Sequence, residues 1–191
     1  MTPAAPAVCG IVLAAGAGTR FGGPKALART PDGTPWIARA VDALRAGGCD
    51  DVLVVLGAGE GEAAALVPPG AREVVADDWA EGVSASLRAG IAAARRREPD
   101  AVVILPVDTP DTPPEAVARV LAAALDAPRA ALVQATYAGR PGHPVLLGAD
   151  HLDAVAASVS GDRGARPYLA AHDAHQVECA DLWSGSDVDH R

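Results

Sequence analysis

A glycine-rich stretch with two cations is the part of this chain whose residue types most directly suggest chemistry. It reads LAAGAGTRFGGPK over residues 13–25 and follows an apolar run. Glycines let backbone N–H groups approach phosphate oxygens closely. Arg20 offers a planar fork to two oxygens, and Lys25 offers a point charge on a flexible stem. The glycines alone are equally typical of a tight strand-to-helix turn, but the added cations favour a triphosphate clamp.

Two common phosphate-binding loops do not fit this stretch. A P-loop needs a serine or threonine after its lysine to hold magnesium, but Ala26 follows Lys25 and Pro24 precedes it. A dinucleotide-binding loop needs a third glycine where Phe21 stands. Both patterns therefore fail at positions that carry their chemistry.

A second chemical feature is the aspartate that ends the apolar run at residues 100–108. A lone aspartate in such a place usually caps a turn. In a chain that also has a triphosphate loop, Asp108 is a good ligand for a hard cation such as Mg²⁺. We therefore expect Asp108 to bind metal.

The bulk composition narrows the class of protein. The chain has 191 residues, a formal net charge of −8 and three widely spaced cysteines without CxxC spacing. No basic face for nucleic acid, zinc site or disulfide framework is expected. No apolar stretch reaches membrane-spanning length, and residues 1–7 lack the basic start of a signal peptide, so we expect a cytoplasmic protein with no membrane partner.

The elements that must position these residues alternate along the chain. Apolar runs predict strands at 8–15, 51–59 (with its turn), 72–77, 100–108, 130–137, 143–148 and 175–180. Helical spacing and end signals predict helices at 35–48, 81–97, 113–126, 149–157 and 163–172. This order predicts one α/β domain over residues 1–191, with three α/β/α layers around a mostly parallel, Rossmann-like sheet. Ligands of such sheets bind at the carboxyl ends of the strands, where the glycine loop and Asp108 could meet.

The glycine-rich stretch, extended to LAAGAGTRFGGPKAL, closely resembles the signature of the MobA-like NTP transferases. The resemblance implies the fold of the nucleotide-diphospho-sugar transferases. It also implies a nucleotide site at Leu13, Ala14, Ala15, Gly16 and Gly18, with Arg20, Lys25 and Asp108 as catalytic residues. The cytidylyl-transferring members carry LAAG, as residues 13–16 do here, whereas guanylyl-transferring members tend to carry LAGG. The resemblance thus favours CTP over GTP.

Further blocks of the chain resemble this family. DWAEGVSASLRAG at 78–90 resembles a nucleotide-binding segment, which assigns Ser84, Ser86 and Gly90 to the nucleotide together with Gly57 of the second strand's turn. Capping of the helix that begins there is the alternative for both serines, and for Ser84 it is as well supported as a ligand contact.

The acceptor side and the second metal ligand also come from the resemblance. GRPGHPVLLG at 139–148 and GDRGARPYL at 161–169 imply that Gly142 and His143 shape a pterin slot. Arg166, with Arg140 and Arg163, would meet the acceptor phosphate. A β-turn and a capped helix start are the alternatives. The last block, SDVDHR, resembles an Asp-x-Asp motif, which makes Asp189 our first choice and Asp187 our second to complete the magnesium site with Asp108.

The activity that the resemblance implies is transfer of CMP from CTP to the terminal phosphate of molybdenum-bound molybdopterin, with release of pyrophosphate. The expected cofactor is Mg²⁺, and the expected partners are CTP, a phosphorylated pterin and a molybdoenzyme or its chaperone. Two alternatives stay open. One is an NAD(P)H-dependent reductase on the same fold, similar to nicotine blue oxidoreductase. The other is a non-catalytic carrier of nucleotide or pterin.

Overall fold

A seven-stranded mixed sheet forms the centre of the computed structural model, which describes residues 5–189. The strands are β1 (Val8–Ala14), β2 (Asp51–Leu56), β3 (Arg72–Val75), β4 (Ala101–Pro106), β5 (Leu132–Tyr137), β6 (Arg140–Gly148) and β7 (His175–Glu178). Their order is β3-β2-β1-β4-β6-β5-β7. Strand β6 is antiparallel to β4 and β5, and every other pairing is parallel.

Helices cover both faces of the sheet, as the alternating pattern predicts. They are α1 (Trp36–Ala46), α2 (Glu60–Ala63), α3 (Val83–Arg95), α4 (Pro114–Ala122), α5 (Leu152–Ser158) and α6 (Arg166–Ala171). Helices α1 and α4 contribute to the core on one face, and α3, α5 and α6 contribute to the core on the other. The three-layer α/β/α fold is thereby confirmed.

Strand β1 shows why the central strands are apolar without interruption. Val8 and Val12 belong to the core on one face, and Cys9 and Ile11 belong to the core on the other. Successive side chains of a strand point to opposite faces, so a strand covered by helices on both sides needs an apolar residue at every position. All four residues are at most 5% exposed.

The direction of β6 decides what meets at the functional edge of the sheet. Strands β1 and β4 are parallel, so the glycine loop after β1 and Asp108 after β4 lie at the same edge. Because β6 runs the opposite way, its beginning lies at that edge too. Gly142 and His143, near the start of β6, are therefore carried to the ends of β1 and β4.

Several elements differ from the sequence-based expectations. The helix expected at 113–126, for example, is Pro114–Ala122. Strand β6 begins at Arg140 rather than at residue 143, because it pairs through a tight turn with β5. The helix expected at 163–172 is shorter, since the residues before Arg166 form a loop. Helix α2 was not predicted, because four residues carry too little periodicity to reveal it.

The ends of the chain lie outside the described part. Residues 1–4, part of the stretch that lacks the basic start of a signal peptide, lie outside it. The final two residues of SDVDHR also lie outside it. Among residues 5–189, no helix is both long enough and apolar enough to cross a membrane.

Candidate active site

A cleft of about 710 Å³ opens at the edge where β1, β4 and β6 meet. Its walls come from the glycine loop, the start of α3, the end of β4, the start of β6, α6 and the end of the described chain. Most of the residues singled out from the sequence line this one cleft: Leu13, Ala14, Ala15, Gly16, Gly18, Arg20, Lys25, Ser86, Asp108, Gly142, His143, Arg166 and Asp189.

The glycine loop is held in a tight fold by its own backbone. The carbonyl of Gly18 accepts hydrogen bonds from the N–H groups of Gly22 (2.9 Å) and Gly23 (3.1 Å). Gly18 has a φ of +57°, and a Cβ there would lie 2.0 Å from the Gly23 carbonyl oxygen. Only glycine fits such a position. Phe21, the residue that excludes a dinucleotide-binding loop, is buried and packs against Trp36 with 5.2 Å between ring centroids.

Lys25 joins the loop to two carboxylates. Its Nζ lies 2.9 Å from Asp108 Oδ2 and 3.0 Å from Asp189 Oδ1. Partial burial by itself would lower the pKa of Lys25, but the hydrogen bonds and negative charges of the two aspartates outweigh it and raise that pKa. The ammonium group is therefore fully charged at neutral pH.

Asp108, Asp187 and Asp189 form an acidic cluster beside Lys25. One carboxylate oxygen from each lies within 4.8 Å of the others. The Val188 N–H donates to the Asp108 carbonyl (2.8 Å), which fixes the end of the described chain against the end of β4. Three carboxylate oxygens are a donor set that suits a hard cation such as Mg²⁺. The structure thus brings both candidate tail aspartates to Asp108.

Two arginines flank the cleft without an acidic partner among residues 5–189. Arg20 lies in the glycine loop and Arg166 begins α6, and both side chains are exposed at the cleft. Most other arginines in the described chain are paired, for example Arg119 with Asp181. In a protein with a net charge of −8, unpaired guanidinium groups on one cleft favour an anionic ligand.

His143 borders the acidic cluster on the β6 side. Burial lowers the pKa of this imidazole, and the negative charges of Asp108 and Asp187 act in the opposite direction. Its carbonyl accepts a hydrogen bond from Tyr137 Oη at 2.7 Å. The lowered pKa keeps His143 neutral at pH 7, which suits a group that shapes a pocket.

Three residues assigned to the nucleotide do not line the cleft. A Cβ on Gly57 would lie 2.6 Å from Trp79 Cβ, and a Cβ on Gly90 would lie 2.8 Å from Ile11 Cγ2, so both glycines permit close packing. Ser84 is completely buried, and its Oγ has no hydrogen-bond partner among the described residues. Arg140 and Arg163 are exposed and also lie outside the cleft lining.

The sequence-based assignment missed a further group of side chains that line the cleft. Leu87, Ile104, Val145 and Leu169 give the cleft an apolar wall, and the polar side chain of Gln134 lines it as well. The four apolar residues had no distinctive signal, because each sits in an ordinary core pattern. Gln134 had one, since it interrupts the apolar strand sequence LVQATY.

The profile of the MobA-like NTP transferase domain matches residues 10–177. The chain belongs to the MobA-like NTP transferase family. The match includes the glycine loop, Asp108 and His143, and stops before Asp187 and Asp189.

Known relatives of this MobA-like chain carry two kinds of name. Nicotine blue oxidoreductase of Paenarthrobacter nicotinovorans is 36% identical over 202 residues, covering 96% of this chain and 93% of the relative. Molybdenum cofactor guanylyltransferase of Burkholderia vietnamiensis is 35% identical over 185 residues, which cover 92% of this chain and 88% of that relative. The crystal structure of Rv0371c from Mycobacterium tuberculosis H37Rv superposes on this chain with a TM-score of 0.82 at 28% sequence identity. The superposition covers 98% of this chain and 95% of Rv0371c.

These comparisons agree with the geometry of the cleft. The chain is a nucleotidyltransferase of the MobA-like type, with the nucleotide-diphospho-sugar transferase fold.

Proposed function

We propose that this protein transfers CMP from CTP to the terminal phosphate of molybdenum-bound molybdopterin and releases pyrophosphate. The observation that carries the proposal is the placement of Lys25, which ends the glycine loop and bridges Asp108 and Asp189. A cationic phosphate loop and a carboxylate cluster in one cleft are what transfer between two phosphates requires. We expect the reaction in the cytoplasm, with a molybdoenzyme or its chaperone as the recipient of the product.

The chemistry consists of one in-line displacement. An oxygen of the acceptor phosphate attacks the α-phosphorus of CTP, and the bond from that phosphorus to the bridging oxygen breaks. Pyrophosphate leaves with the bonding electron pair. The attacking oxygen is already anionic at pH 7, so no general base is needed, and the main barrier is repulsion between two anions.

The residues of the cleft would reduce the repulsion between the two anions. Backbone N–H groups of the glycine loop and the guanidinium of Arg20 hold the triphosphate oxygens, and Lys25 adds a positive charge where negative charge grows on the leaving group. Asp108, Asp187 and Asp189 would hold the metal, and a bound Mg²⁺ supplies Lewis-acid neutralisation of phosphate charge. Arg166 also lines the cleft and, in this proposal, binds the acceptor phosphate.

The choice of CTP rests on the LAAG sequence of residues 13–16. The test is pyrophosphate release from CTP, GTP and ATP, each with and without molybdopterin, at saturating Mg²⁺. We expect release from CTP that depends on molybdopterin. If the protein released pyrophosphate preferentially from GTP, GTP rather than CTP would be the donor. CTP binding without release from any nucleotide would favour a non-catalytic carrier.

The identity to nicotine blue oxidoreductase supports a second candidate, a reductase that uses NAD(P)H. The loop lacks the third glycine of a dinucleotide-binding fingerprint, because Phe21 stands there. An absorption spectrum of the purified protein and an NAD(P)H-oxidation assay test this candidate. Bound flavin or NAD(P)H turnover, without nucleotide-dependent pyrophosphate release, would favour the reductase.

A further inference from the structure

Part of the cleft has an apolar floor built from three neighbouring strands. Ile104 of β4 is in register with Val145 of β6, and Val145 is in register with Gln134 of β5. Residues that pair across strands point to the same face, so the three side chains form one row. All three line the cleft, and Leu169 of α6 lines it as well. We name this row the acceptor floor.

Gln134 is the polar member of the acceptor floor. Gln134 is 8% exposed, and Ile104 and Val145 are each 3% exposed. Within residues 5–189 it makes one hydrogen bond, from its Nε2 to the carbonyl of Gly142 at 3.4 Å. A carbonyl oxygen can only accept, so the amide nitrogen must be the atom that faces Gly142. The Oε1 atom therefore has no partner in this part of the chain.

Among the described residues, Gln134 Oε1 is not one of the fully buried atoms that lack a partner, so it is open to the cleft. An acceptor atom that is open to the cleft and has no protein partner can take a hydrogen bond from a bound ligand. The Oε1 acceptor and the second Nε2 hydrogen together match a cyclic amide edge, which carries an N–H beside a C=O.

We infer that Gln134 is a specificity-determining residue that binds the lactam edge of a planar heterocyclic acceptor lying on the acceptor floor. The choice of a pterin as that acceptor rests on the proposed function. The apolar floor favours the face of a flat ring, and the amide selects rings with an N–H at the lactam position. Arg166 lies on the same cleft for the phosphate that such an acceptor carries.

The experiment uses binding, measured by titration calorimetry on the full chain, with pterin and 3-methylpterin as probes. The methyl group of 3-methylpterin removes the lactam N–H. We expect the wild-type protein to bind pterin more tightly, by about tenfold, which is the equivalent of one hydrogen bond. We expect Gln134→Leu to lose this discrimination while its affinity for CTP stays unchanged.

A matched control is available on the neighbouring strand. Gln176 of β7 is in register with Gln134 but is exposed and lies outside the cleft lining, so Gln176→Leu should behave as wild type. Gln134→Met, with a flexible apolar side chain, provides a second variant, and melting temperatures show whether each variant is folded.

The outcomes separate this inference from the proposed function. Pterin binding that is equally tight in Gln134→Leu and wild type overturns the role of Gln134 and leaves the acceptor class intact. Guanosine also has a lactam edge and serves as a third probe. If the wild-type protein binds guanosine but not pterin, and Gln134→Leu loses guanosine binding, the role of Gln134 is supported. The same result excludes a pterin as the acceptor. If the wild-type protein binds neither pterin nor guanosine, the inference is overturned.

Discussion

Lys25 is the side chain on which the charge balance of the cleft depends. Its ammonium group lies between Asp108 and Asp189, at 2.9 and 3.0 Å, and offsets the repulsion between those carboxylates. Under the proposed function, a triphosphate that enters the glycine loop would compete with the same two carboxylates for this ammonium group. Lys25 would then serve both the ligand-free protein and the nucleotide complex.

Replacing this lysine tests the phosphate loop. We expect Lys25→Ala to weaken CTP binding by roughly 10- to 100-fold, because hydrogen bonds to charged groups are lost. Calorimetric titration with CTP and Mg²⁺, without an acceptor, measures the effect. Arg39→Ala is the control, since Arg39 pairs with Asp111 away from the cleft. Unchanged CTP affinity and turnover in Lys25→Ala would contradict the clamp.

Asp108 is the residue whose loss should affect turnover most directly. We expect Asp108→Ala to lower kcat by roughly 10²-fold or more, a typical loss for a key electrostatic group. Pyrophosphate release at saturating Mg²⁺ measures this loss. Asp111→Ala removes an exposed carboxylate three residues away and should leave kcat near the wild-type value. Near-normal turnover by Asp108→Ala would exclude the metal role.

Single residues also show how far the site could be predicted from sequence. Arg20, Lys25 and Asp108 were recognisable because their charges follow apolar strands. Ser84 and Gly90 were assigned to the nucleotide by motif, but the structure buries Ser84 and packs Gly90 against Ile11. A motif shows which residues belong together, whereas the direction of each side chain depends on how the helix docks on the sheet.

At the level of elements, Gly90 sets the distance between α3 and the sheet. A Cβ there would lie 2.8 Å from Ile11 Cγ2 and 3.1 Å from Val55 Cγ2. We expect Gly90→Ala to lower the free energy of unfolding by about 1–3 kcal/mol through overpacking. Gly61 of α2 has open space around it, so Gly61→Ala should raise that free energy by about 0.5–1 kcal/mol. Denaturant unfolding compares the two variants, and equal effects would contradict the packing role.

Glu178 of β7 holds the turn between β5 and β6. Its carboxylate accepts hydrogen bonds from the N–H groups of Ala138 (2.9 Å), Gly139 (3.1 Å) and Ala180 (2.9 Å), and from Thr136 Oγ1 (3.1 Å). These backbone hydrogen bonds lower the pKa of Glu178 to about 2. The hairpin that carries Gln134 and His143 is thus fastened to the edge strand.

This lowered pKa predicts a particular pH dependence of stability. Since the folded-state pKa lies below the ordinary value of 4.5, the carboxylate stabilises the fold above about pH 4.5, and this contribution is lost as the pH falls toward 2. We expect Glu178→Gln to have a lower Tm than wild type at pH 7, with the difference shrinking toward pH 2. Glu73→Gln, exposed on edge strand β3, is the control. A Tm difference that is constant from pH 7 to pH 2 would contradict this role.

The elements themselves were predictable where a strand is covered on both faces or a helix is long. The core runs of β1, β2 and β4 carry the pattern of buried parallel strands, and α1 and α3 carry clear helical spacing. The full extent of β6 was not predictable, because Arg140 and Pro141 look like turn residues until the hairpin pairs them with Tyr137 and Thr136 of β5. The antiparallel direction of β6 likewise follows from that short turn, not from composition.

At the scale of the whole molecule, the segment after β7 crosses the protein to reach the cleft. Arg119 of α4 holds Asp181 through both of its terminal nitrogens, and Trp183 packs edge-on against Tyr137 with 5.4 Å between ring centroids. Val188 then donates its N–H to the Asp108 carbonyl. Asp187 and Asp189, two of the three clustered carboxylates, therefore belong to a segment that is anchored on α4, Tyr137 and Asp108.

Loosening this segment should affect metal use before it affects the fold. We expect Trp183→Ala to raise the Mg²⁺ concentration for half-maximal turnover by roughly three- to tenfold, the equivalent of one lost aromatic pair. A magnesium titration of pyrophosphate release and a melting curve measure the two effects. Ser184→Ala, in the same segment, should match wild type because the Ser184 hydroxyl contacts the exposed Ser186. An unchanged magnesium requirement would show that Trp183 does not position Asp187 and Asp189.

Under the proposed function, the hairpin of β5 and β6 would make the substrate site modular. The nucleotide would be held by the β1 loop and the end of β4, whereas the acceptor floor takes two of its three members from this one continuous segment. Replacing residues 132–148 by the corresponding segment of a relative would exchange two of the three residues of the acceptor floor at once. The glycine loop would keep its own sequence. Enzyme engineers could in this way redirect the transferred group to a new recipient without rebuilding the nucleotide half.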